Sequence, residues 1–322
     1  MQINQLREPL QVELNEMNHL IRAYLKSQVP LIKDIGEHLI NSGGKRLRPM
    51  LTLMSAKACG YDGQAHLNMA VVIEFIHTAT LLHDDVVDAS TLRRGKQTAN
   101  YLWGNEAPVL VGDFLYSRAF QIMVELGNID VMQCMANATN TIAEGEVMQL
   151  LNKQNHDLLE AEYIKVLRHK TAKLFEAASE VGAILANATL RQRKSLANFG
   201  MHLGTAYQLI DDMLDYTADA MTMGKNPGDD LAEGKVTLPI IYSLKHSDQK
   251  TKQQLRECLA KHSPESFNFV KQLIQHNGAL EYTYNFAERE KQLAIESLIE
   301  INNSHDKDLL INFANFSTVR SS

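Results

Sequence analysis

The stretch that decides the fold reads HLNMAVVIEFIHTATLLHDDVVD over residues 66–88. Apolar side chains recur in it every three to four residues, which is the repeat of a helix face, and three aspartates stand at its end. Carboxylates at a helix C-terminus repel one another and oppose the helix dipole, so they require compensation. The stretch therefore predicts a long helix whose acidic end either binds a divalent metal or is simply solvated.

A second acidic cluster makes coincidence a poor explanation. The sequence DDMLD at 211–215 repeats the spacing of DDVVD at 84–88. Each cluster follows an apolar helix and precedes a polar loop, 89–108 in the first case and 217–238 in the second. Carboxylates without paired His or Cys suit Mg²⁺, which proteins usually hold with one or two carboxylates and substrate phosphates. The two clusters therefore predict Mg²⁺ and a phosphorylated ligand.

Basic residues stand where a phosphorylated ligand would need them. GGKRLRP at 43–49 has three of them behind two glycines, and Arg93 and Arg94 follow the first aspartate cluster. Guanidinium groups match phosphate oxygens with paired hydrogen bonds. GGKRLRP lacks the frame of a P-loop, and a helix-capping turn with solvated charges would also explain it. Further candidates for the same ligand are Lys170, Thr171, Gln208, Lys225 and Lys235.

The remaining chain also reads as helix. Of its 322 residues 45% are hydrophobic and only 7 are Pro, a composition that favours long helices over a β-rich fold. Apolar periodicity places helices at 8–41, 49–59, 66–88, 109–126, 129–152, 160–187, 192–217, 236–246, 250–261, 265–276 and 279–302. Because no short repeat or low-complexity tract interrupts them, we predict an all-α protein with one large bundle as a single domain over 1–322.

Composition excludes several functional classes. The net charge of -6 argues against a nucleic-acid partner bound through a broad basic face. No run approaches the roughly 18 apolar residues of a membrane-spanning helix, and the N-terminus lacks the apolar region of a signal peptide. We therefore expect no transmembrane segment and a cytoplasmic location. The three cysteines, Cys59, Cys134 and Cys258, are scattered, which argues against disulfides and a cysteine-ligated metal.

The motifs together resemble the trans-isoprenyl diphosphate synthase family. The resemblance covers about residues 43–239 and rests on both DDxxD clusters, GGKRLRP, the RRG that follows the first cluster, the Lys170–Thr171 pair, YQLIDDMLD and GKNPGDDLAEGK. The stretch 71–88 is most similar to long-chain polyprenyl synthases of the octaprenyl diphosphate synthase type. Tyr207 replaces the Phe that the family commonly has before the Gln of the second motif, but it keeps an aromatic ring.

The resemblance implies a reaction and a set of site residues. The reaction is Mg²⁺-dependent condensation of isopentenyl diphosphate onto an allylic diphosphate, with farnesyl diphosphate as the expected primer and octaprenyl diphosphate, a quinone side-chain precursor, as the expected product. The implied ligands of several metal ions are Asp84, Asp88, Asp211 and Asp215, supported by Asp85 and Asp212. The implied allylic diphosphate site comprises Arg93, Lys170, Thr171, Gln208, Lys225 and Lys235. The implied isopentenyl diphosphate site comprises Lys45, Arg48, His77 and Arg94.

Three further expectations come from the same analogy. The fold is expected to be a helical bundle around a central cavity, with a helical C-terminal part, 240–322, that carries no chemical motif. The protein is expected to form a homodimer through apolar helices such as 109–126 and 129–150. The loop 224–235 is expected to become ordered over the diphosphate when Mg²⁺ and substrate bind.

Small residues before the first aspartate cluster bear on product length. The residues five and four before its first aspartate are Ala79 and Thr80, where short-chain relatives usually have an aromatic ring. With the diphosphate at the C-terminal end of this helix, the apolar tail has to run back past Ile76. Candidates for the floor that stops it are Phe120 and Met123, which would serve equally as core residues. We therefore predict a long product, and the family resemblance implies about eight isoprene units.

Other functions fit the sequence less completely. A shorter-chain farnesyl or geranylgeranyl diphosphate synthase would have the same motifs. The pairs Glu16/His19 and Glu74/His77 fit the Glu-x-x-His signature of di-metal carboxylate oxidoreductases, which would leave both aspartate clusters without a role. A metal phosphohydrolase built on His83 would not need the second cluster. A terpene cyclase would have an Asn/Ser/Glu motif in its place, and a non-catalytic subunit would have lost some aspartates.

Overall fold

The computed structural model describes residues 3–41, 43–153, 155–217, 228–261 and 264–319. Its helices are α1 (Ile3–Arg7), α2 (Gln11–Tyr24), α3 (Pro30–Asn41), α4 (Leu47–Ala58), α5 (Ala65–Val87), α6 (Ala99–Trp103), α7 (Glu106–Leu126), α8 (Ile129–Asn152), α9 (Glu160–Leu167), α10 (Lys173–Leu185), α11 (Leu190–Thr217), α12 (Asp229–Ala232), α13 (Leu238–His246), α14 (Gln249–Lys261), α15 (Pro264–His276), α16 (Ala279–Ser297) and α17 (His305–Val319). Short 3-10 turns occur at Glu8–Leu10 and Leu298–Glu300, and a π-helical turn occurs at Arg168–Ala172. An antiparallel pair, β1 (Leu92–Arg93) and β2 (Lys96–Gln97), follows α5. The prediction of an all-α fold is confirmed.

Some predicted boundaries were wrong. The single helix expected over 8–41 is broken between α2 and α3, because the residue before Pro30 is disfavoured in a helix and the proline starts a new one. The loop expected over 89–108 contains the β1–β2 hairpin and α6. The last helix, α17, lies beyond the predicted end at 302, and its buried apolar residues, such as Leu310 and Phe313, hold it against the bundle.

Helix α5 lies in the larger of two hydrophobic clusters and packs against α2, α4, α7 and α10. Residues Val71, Val72 and Ile73 are completely buried, as expected for a helix that is apolar on nearly all sides. Among the described residues, α5 is the one helix that is long and apolar enough to cross a membrane, but 67% of its most apolar stretch is buried inside the fold. Burial of that extent is typical of a core helix.

Helix α11 connects the two hydrophobic clusters. Its first half contributes Leu196 and Leu203 to the larger cluster, and its second half contributes Leu209 and Ile210 to a smaller cluster built by α9 and α12 to α16. The second aspartate cluster lies in this second half. The C-terminal helices therefore position the end of α11.

Helices α4 and α10 approach each other closely because Gly182 has no side chain. A Cβ placed on Gly182 would lie 2.6 Å from the backbone nitrogen of Ala56 and 2.9 Å from the carbonyl oxygen of Thr52. Both neighbours are backbone atoms of α4, so neither can move aside without shifting the helix. This contact fixes α4, which begins with the basic segment, against α10.

Substitution of Gly182 by Ala is expected to lower the free energy of unfolding by about 1–3 kcal/mol, the usual cost of overpacking. The matched control is Gly36→Ala on α3, where a Cβ would meet only Leu25 side-chain atoms, the nearest at 3.4 Å. That change should be neutral or stabilising because Ala favours helix by about 1 kcal/mol over Gly. Urea unfolding followed by circular dichroism measures both, and equal midpoints for the two variants would contradict the close contact.

Candidate active site

The two aspartate clusters open onto one cavity of about 570 Å³, here called the large cavity. The clusters lie at the C-terminal ends of α5 and α11, and the glycine-rich turn before α4 and the β1–β2 hairpin supply other parts of the wall. Eleven of the predicted site residues line it: Lys45, Arg48, His77, Asp84, Asp88, Arg93, Arg94, Lys170, Gln208, Asp211 and Lys235. Residues distant in the sequence are thus brought together.

The large cavity is strongly charged in both signs. Its seven basic residues are Lys45, Arg46, Arg48, Arg93, Arg94, Lys170 and Lys235. Its seven acidic residues are Glu74, Asp84, Asp88, Asp211, Asp229, Asp230 and Glu233. Such a lining suits a ligand that combines a multivalent anion with cations.

Two aspartates of the first cluster meet lysines from other elements. Asp84 lies 3.5 Å from the Lys170 ammonium group. Asp88 accepts hydrogen bonds from Lys153 at 2.9 Å and from Lys235 at 3.1 Å. Burial opposes the ionisation of Asp88, but these two ammonium groups outweigh it and hold its pKa below the usual range. Lysines from other elements thus contact both carboxylates at the large cavity.

Asp85, between these two, does not line the cavity. Its buried carboxylate accepts a hydrogen bond from Arg93 at 2.7 Å, and burial raises its pKa above the usual range despite that arginine. The Asn100 side chain donates to the Asp85 carbonyl at 3.0 Å. Asp85 thus anchors Arg93, whose guanidinium group reaches the cavity wall.

In the second cluster, Asp211 lines the large cavity and Asp212 lines a smaller one of about 130 Å³, here called the side cavity. The Asp212 carboxylate accepts hydrogen bonds from the Tyr163 hydroxyl and, at 2.9 Å, from the Gln208 amide. Burial, reinforced by nearby Asp230, raises the pKa of Asp212 to about 7. Asp212 is therefore held by neighbouring side chains behind the large cavity.

Asp215, which the resemblance implies as a metal ligand, is buried in the structure, and its metal role stays a prediction. Its side chain is 0% exposed and lines neither cavity, whereas Asp211 lies one turn earlier on the exposed wall. The Gly228 N–H donates to the Asp215 carbonyl at 3.3 Å, which links the end of α11 to the start of α12. Asp215 therefore lies behind the cavity wall rather than on it.

The segment 43–49 and the hairpin form a connected basic wall. Arg46 makes a buried ion pair with Glu74 of α5, and Arg94 donates a hydrogen bond to the Gly43 carbonyl. Arg46 and Arg94 have φ angles of 54° and 53°, a left-handed conformation that costs a non-glycine residue free energy. These contacts hold both arginines in that conformation at the cavity.

Arg48 and His77 contact each other on this wall, with Nη1 of Arg48 lying 3.2 Å from Nε2 of His77. Burial lowers the pKa of His77 well below its ordinary value, and the positive charges of Arg48 and Arg94 add to this effect. Burial also lowers the pKa of Arg48, to about 10. At neutral pH the guanidinium group is therefore charged and donates to a neutral imidazole.

Lys170 and Thr171 lie on the π-helical turn between α9 and α10. Two helices approach this turn closely because each has a glycine at the contact. A Cβ placed on Gly145 of α8 would lie 2.6 Å from the Lys170 backbone nitrogen. A Cβ placed on Gly204 of α11 would lie 2.7 Å from the Cα of Ala172. Turns of this type are frequent at functional sites. Lys170 lines both cavities, whereas Thr171 lines only the side cavity.

Helix α8 contributes residues that the sequence analysis did not single out. Glu146 accepts a hydrogen bond from Lys170 at 2.6 Å, and Lys153 binds Asp88. Gln149 and Lys153 line the side cavity. The signal in the sequence was weak: Glu146 and Gln149 share one face of α8, and Lys153 directly follows the last residue of that helix.

Helix α12 adds three acidic residues to the large cavity, Asp229, Asp230 and Glu233, which are visible in the motif GDDLAEGK. Lys235 binds both Asp88 and Glu233. Burial opposes the charge of Lys235, but these acidic neighbours raise its pKa above the usual range. Lys225 and the first part of the loop 224–235 lie outside the described residues.

The residues considered for product length belong to one region of the core between α5 and α7. Ile76, Ala79 and Met123 are buried in the larger hydrophobic cluster, and Phe120 packs against it. Thr80 is partly exposed, and its hydroxyl donates to the His77 carbonyl at 2.8 Å. Their role in product length remains a prediction.

The di-metal alternative finds no support. Glu74 is paired with Arg46, and Glu16 and His19 are exposed on α2. Within the described ranges, no group of three or more His, Cys, Asp or Glu residues could hold a metal ion by itself. The Glu-x-x-His pairs therefore do not converge on a metal site.

Fold and site define a helical protein with one large cavity that is lined by acidic and basic side chains. The family model described as polyprenyl synthetase matches residues 29–314. The chain therefore belongs to the polyprenyl synthetase family, and it is a prenyltransferase. The resemblance seen in the motifs is thereby confirmed.

Full-length relatives agree with this assignment. The chain is 44% identical to octaprenyl diphosphate synthase of Escherichia coli (strain K12) over 321 residues, which cover 99% of each sequence. A crystal structure of a polyprenyl synthase from Caulobacter crescentus CB15, complexed with calcium and isoprenyl diphosphate, matches with a TM-score of 0.97 and 39% identity, covering 100% of this chain and 98% of that one. A decaprenyl diphosphate synthase from Rhodobacter capsulatus matches with a TM-score of 0.93 and 40% identity, covering 100% of both chains.

Proposed function

We propose that the protein is a long-chain trans-polyprenyl diphosphate synthase. It adds isopentenyl diphosphate units head to tail to an allylic diphosphate, with farnesyl diphosphate as primer, and releases octaprenyl diphosphate as a precursor of quinone side chains. The observation that carries the proposal is the convergence of two aspartate clusters and seven basic residues on one cavity. The full-length likeness to an octaprenyl diphosphate synthase supports the long product.

The donor set fits Mg²⁺. Asp84, Asp88 and Asp211 offer hard oxygen ligands on the cavity wall, and Asp215, one turn after Asp211, completes the proposed set. Mg²⁺ commonly fills its shell with water and substrate phosphates. When bound, several such ions supply Lewis-acid stabilisation to the departing diphosphate. The calcium in the Caulobacter crescentus polyprenyl synthase structure supports a divalent ion in a site of this kind.

The residues between the two cavities are placed to hold the allylic diphosphate. Lys170, Gln208 and Lys235 line both cavities, and the two lysines now contact Asp84 and Asp88. A metal on the aspartates and a phosphate on the lysines would replace these contacts without leaving a charge unpaired. Arg93, Thr171 and Lys225 complete the proposed set.

The basic wall is placed to hold isopentenyl diphosphate. Lys45, Arg48 and Arg94 present cations to the large cavity, and the neutral His77 accepts a hydrogen bond from Arg48. An arginine that is already oriented can give a diphosphate two hydrogen bonds at little entropic cost. The apolar core behind α5 excludes water that would capture an allylic cation.

Three further proposals concern the whole protein. We retain a single domain over 1–322, a cytoplasmic location and a homodimer. Exposed apolar residues support the homodimer: Leu110 and Val124 on α7, and Val147 and Leu151 on α8. A shorter-chain farnesyl or geranylgeranyl diphosphate synthase is the remaining alternative, since it would use the same charged residues.

Product analysis tests the proposed function. The purified protein is incubated with farnesyl diphosphate, radiolabelled isopentenyl diphosphate and Mg²⁺, and the dephosphorylated products are separated by chain length. Octaprenol as the main product supports the proposal, whereas accumulation of geranylgeraniol supports the shorter-chain alternative. Absence of any chain extension would refute both.

Lys45→Ala and Arg48→Ala are each expected to raise the KM for isopentenyl diphosphate by about tenfold or more, because a charge-assisted hydrogen bond to a phosphate is lost. The KM for the allylic substrate should change much less. Lys33→Ala on the exposed face of α3 is the matched control. Initial rates with each substrate varied in turn measure the effect, and an equal rise in both KM values would mean that the two residues have a shared or structural role.

A further inference from the structure

We propose that Phe175 is a positioning residue for the isopentenyl diphosphate site, where its ring holds the Arg48 guanidinium group in the orientation that receives the diphosphate. The guanidinium carbon lies 4.3 Å from the centre of the Phe175 ring. The inference rests on the proposed function, because it concerns how the basic wall binds its substrate.

Among the residues that the structure describes, one hydrogen bond holds the Arg48 guanidinium group. Its Nη1 donates to His77, and its Nε has no hydrogen-bond partner among the residues that the structure describes. A guanidinium group stacked on an aromatic face keeps its hydrogen-bonding edges free. The ring therefore fixes the plane of the arginine while leaving donors for an anion in the cavity.

The ring of Phe175 is itself immobilised by packing. Phe175 is 0% exposed, and α11 approaches it through two glycines. A Cβ at Gly200 would lie 2.3 Å from the Phe175 carbonyl oxygen, and one at Gly204 would lie 3.0 Å from the ring. Helix α4, which carries Arg48, packs closely against α10, which carries Phe175, at Gly182. Both side chains are therefore attached to helices that are fixed relative to each other.

The positions of Arg48 and Phe175 indicate an effect on the binding of isopentenyl diphosphate rather than on the rate of the chemical step. Arg48 belongs to the basic wall, and Phe175 does not line either cavity. Phe175 therefore acts only through Arg48. A cation–π contact with a partly desolvated arginine contributes enough to change binding by about tenfold.

Phe175→Leu, which keeps an apolar side chain but removes the aromatic face, tests the inference. We expect the KM for isopentenyl diphosphate to rise about tenfold, while kcat and the KM for farnesyl diphosphate stay within about twofold. The matched control is Phe199→Leu, another fully buried phenylalanine of the same hydrophobic cluster, which should change none of the three. Phe175→Tyr keeps a ring and should restore the wild-type KM.

A double-mutant cycle separates positioning from a general packing defect. In the Arg48→Ala background, Phe175→Leu should add almost nothing to the KM for isopentenyl diphosphate, whereas independent effects would multiply. The inference would be overturned if the effects of the two substitutions on the KM for isopentenyl diphosphate multiplied, or if Phe175→Leu changed the KM values of both substrates equally. Turnover by the wild-type protein would still support the proposed function in either case. If Phe175→Leu does not fold, Phe175→Met is measured in the same cycle.

Discussion

Asp84→Ala and Asp211→Ala should each reduce turnover by about a thousandfold, because each removes a carboxylate that we propose as a metal ligand and metal-ion catalysis supplies several kcal/mol of charge stabilisation. The two residues lie on different helices but on the same cavity wall. Loss of either one should therefore have a similar effect. The thermal unfolding midpoint should change little, because each substitution also removes a like charge from an acidic helix end.

The matched control for this experiment is Asp113→Ala on α7. Asp113 is also a helix aspartate, but its side chain is 66% exposed and it lies outside both cavities. Turnover is measured over a wide range of Mg²⁺ concentration, together with Mg²⁺ binding by calorimetry in the presence of inorganic diphosphate. Retention of most activity by either cavity variant at saturating Mg²⁺ would show that the metal assignment is wrong.

Much of the site could be predicted because its chemistry is concentrated in short motifs at helix ends. DDVVD and DDMLD each end an apolar helix, and the ends of neighbouring core helices can meet at one cavity. The segment GGKRLRP indicates an anion-binding site because it combines two glycines with three basic residues. The all-α fold likewise follows from the apolar periodicity of helices such as α5 and α11.

The parts that could not be predicted depend on how elements pack. Nothing in the sequence RHKTA at 168–172 distinguishes a π-helical turn from an α-helix, and the close approach of Gly145 and Gly204 to this turn is visible only in the fold. Asp215 shares the spacing of Asp88, but its side chain is buried and lines neither cavity. Spacing places a residue on a helix face, whereas the neighbouring elements decide whether that face is open.

Individual ion pairs between distant segments could not be predicted from the sequence either. Glu146 binds Lys170 from 24 residues away, and Lys235 reaches Asp88 across 147 residues. Each of these side chains alone is an ordinary charged residue. The motifs assign both lysines to the same site as the aspartates, but only the fold shows which lysine contacts which carboxylate.

Ala79→Tyr should shorten the product from octaprenyl to farnesyl or geranylgeranyl diphosphate while the first condensation survives. Helix α5 has 23 residues and spans about 35 Å, long enough to form one wall of a tunnel for many isoprene units. Ala79 of α5 is completely buried in the larger hydrophobic cluster, about one turn before the aspartates. A tyrosine ring there would close the path near the diphosphate, but it would leave Asp84 and Asp88 in place.

Product length after incubation with farnesyl or geranyl diphosphate and isopentenyl diphosphate measures this effect, and Ala79→Ser is the matched control because it keeps the residue small. A large ring in a packed core costs about 1–3 kcal/mol, so the unfolding midpoint of Ala79→Tyr is recorded as well. If Phe120 and Met123 form the floor, their replacement by Ala should lengthen the product. An unchanged product distribution in a folded Ala79→Tyr variant would mean that the tail does not pass this position, and the physical basis for a long product along α5 would be lost.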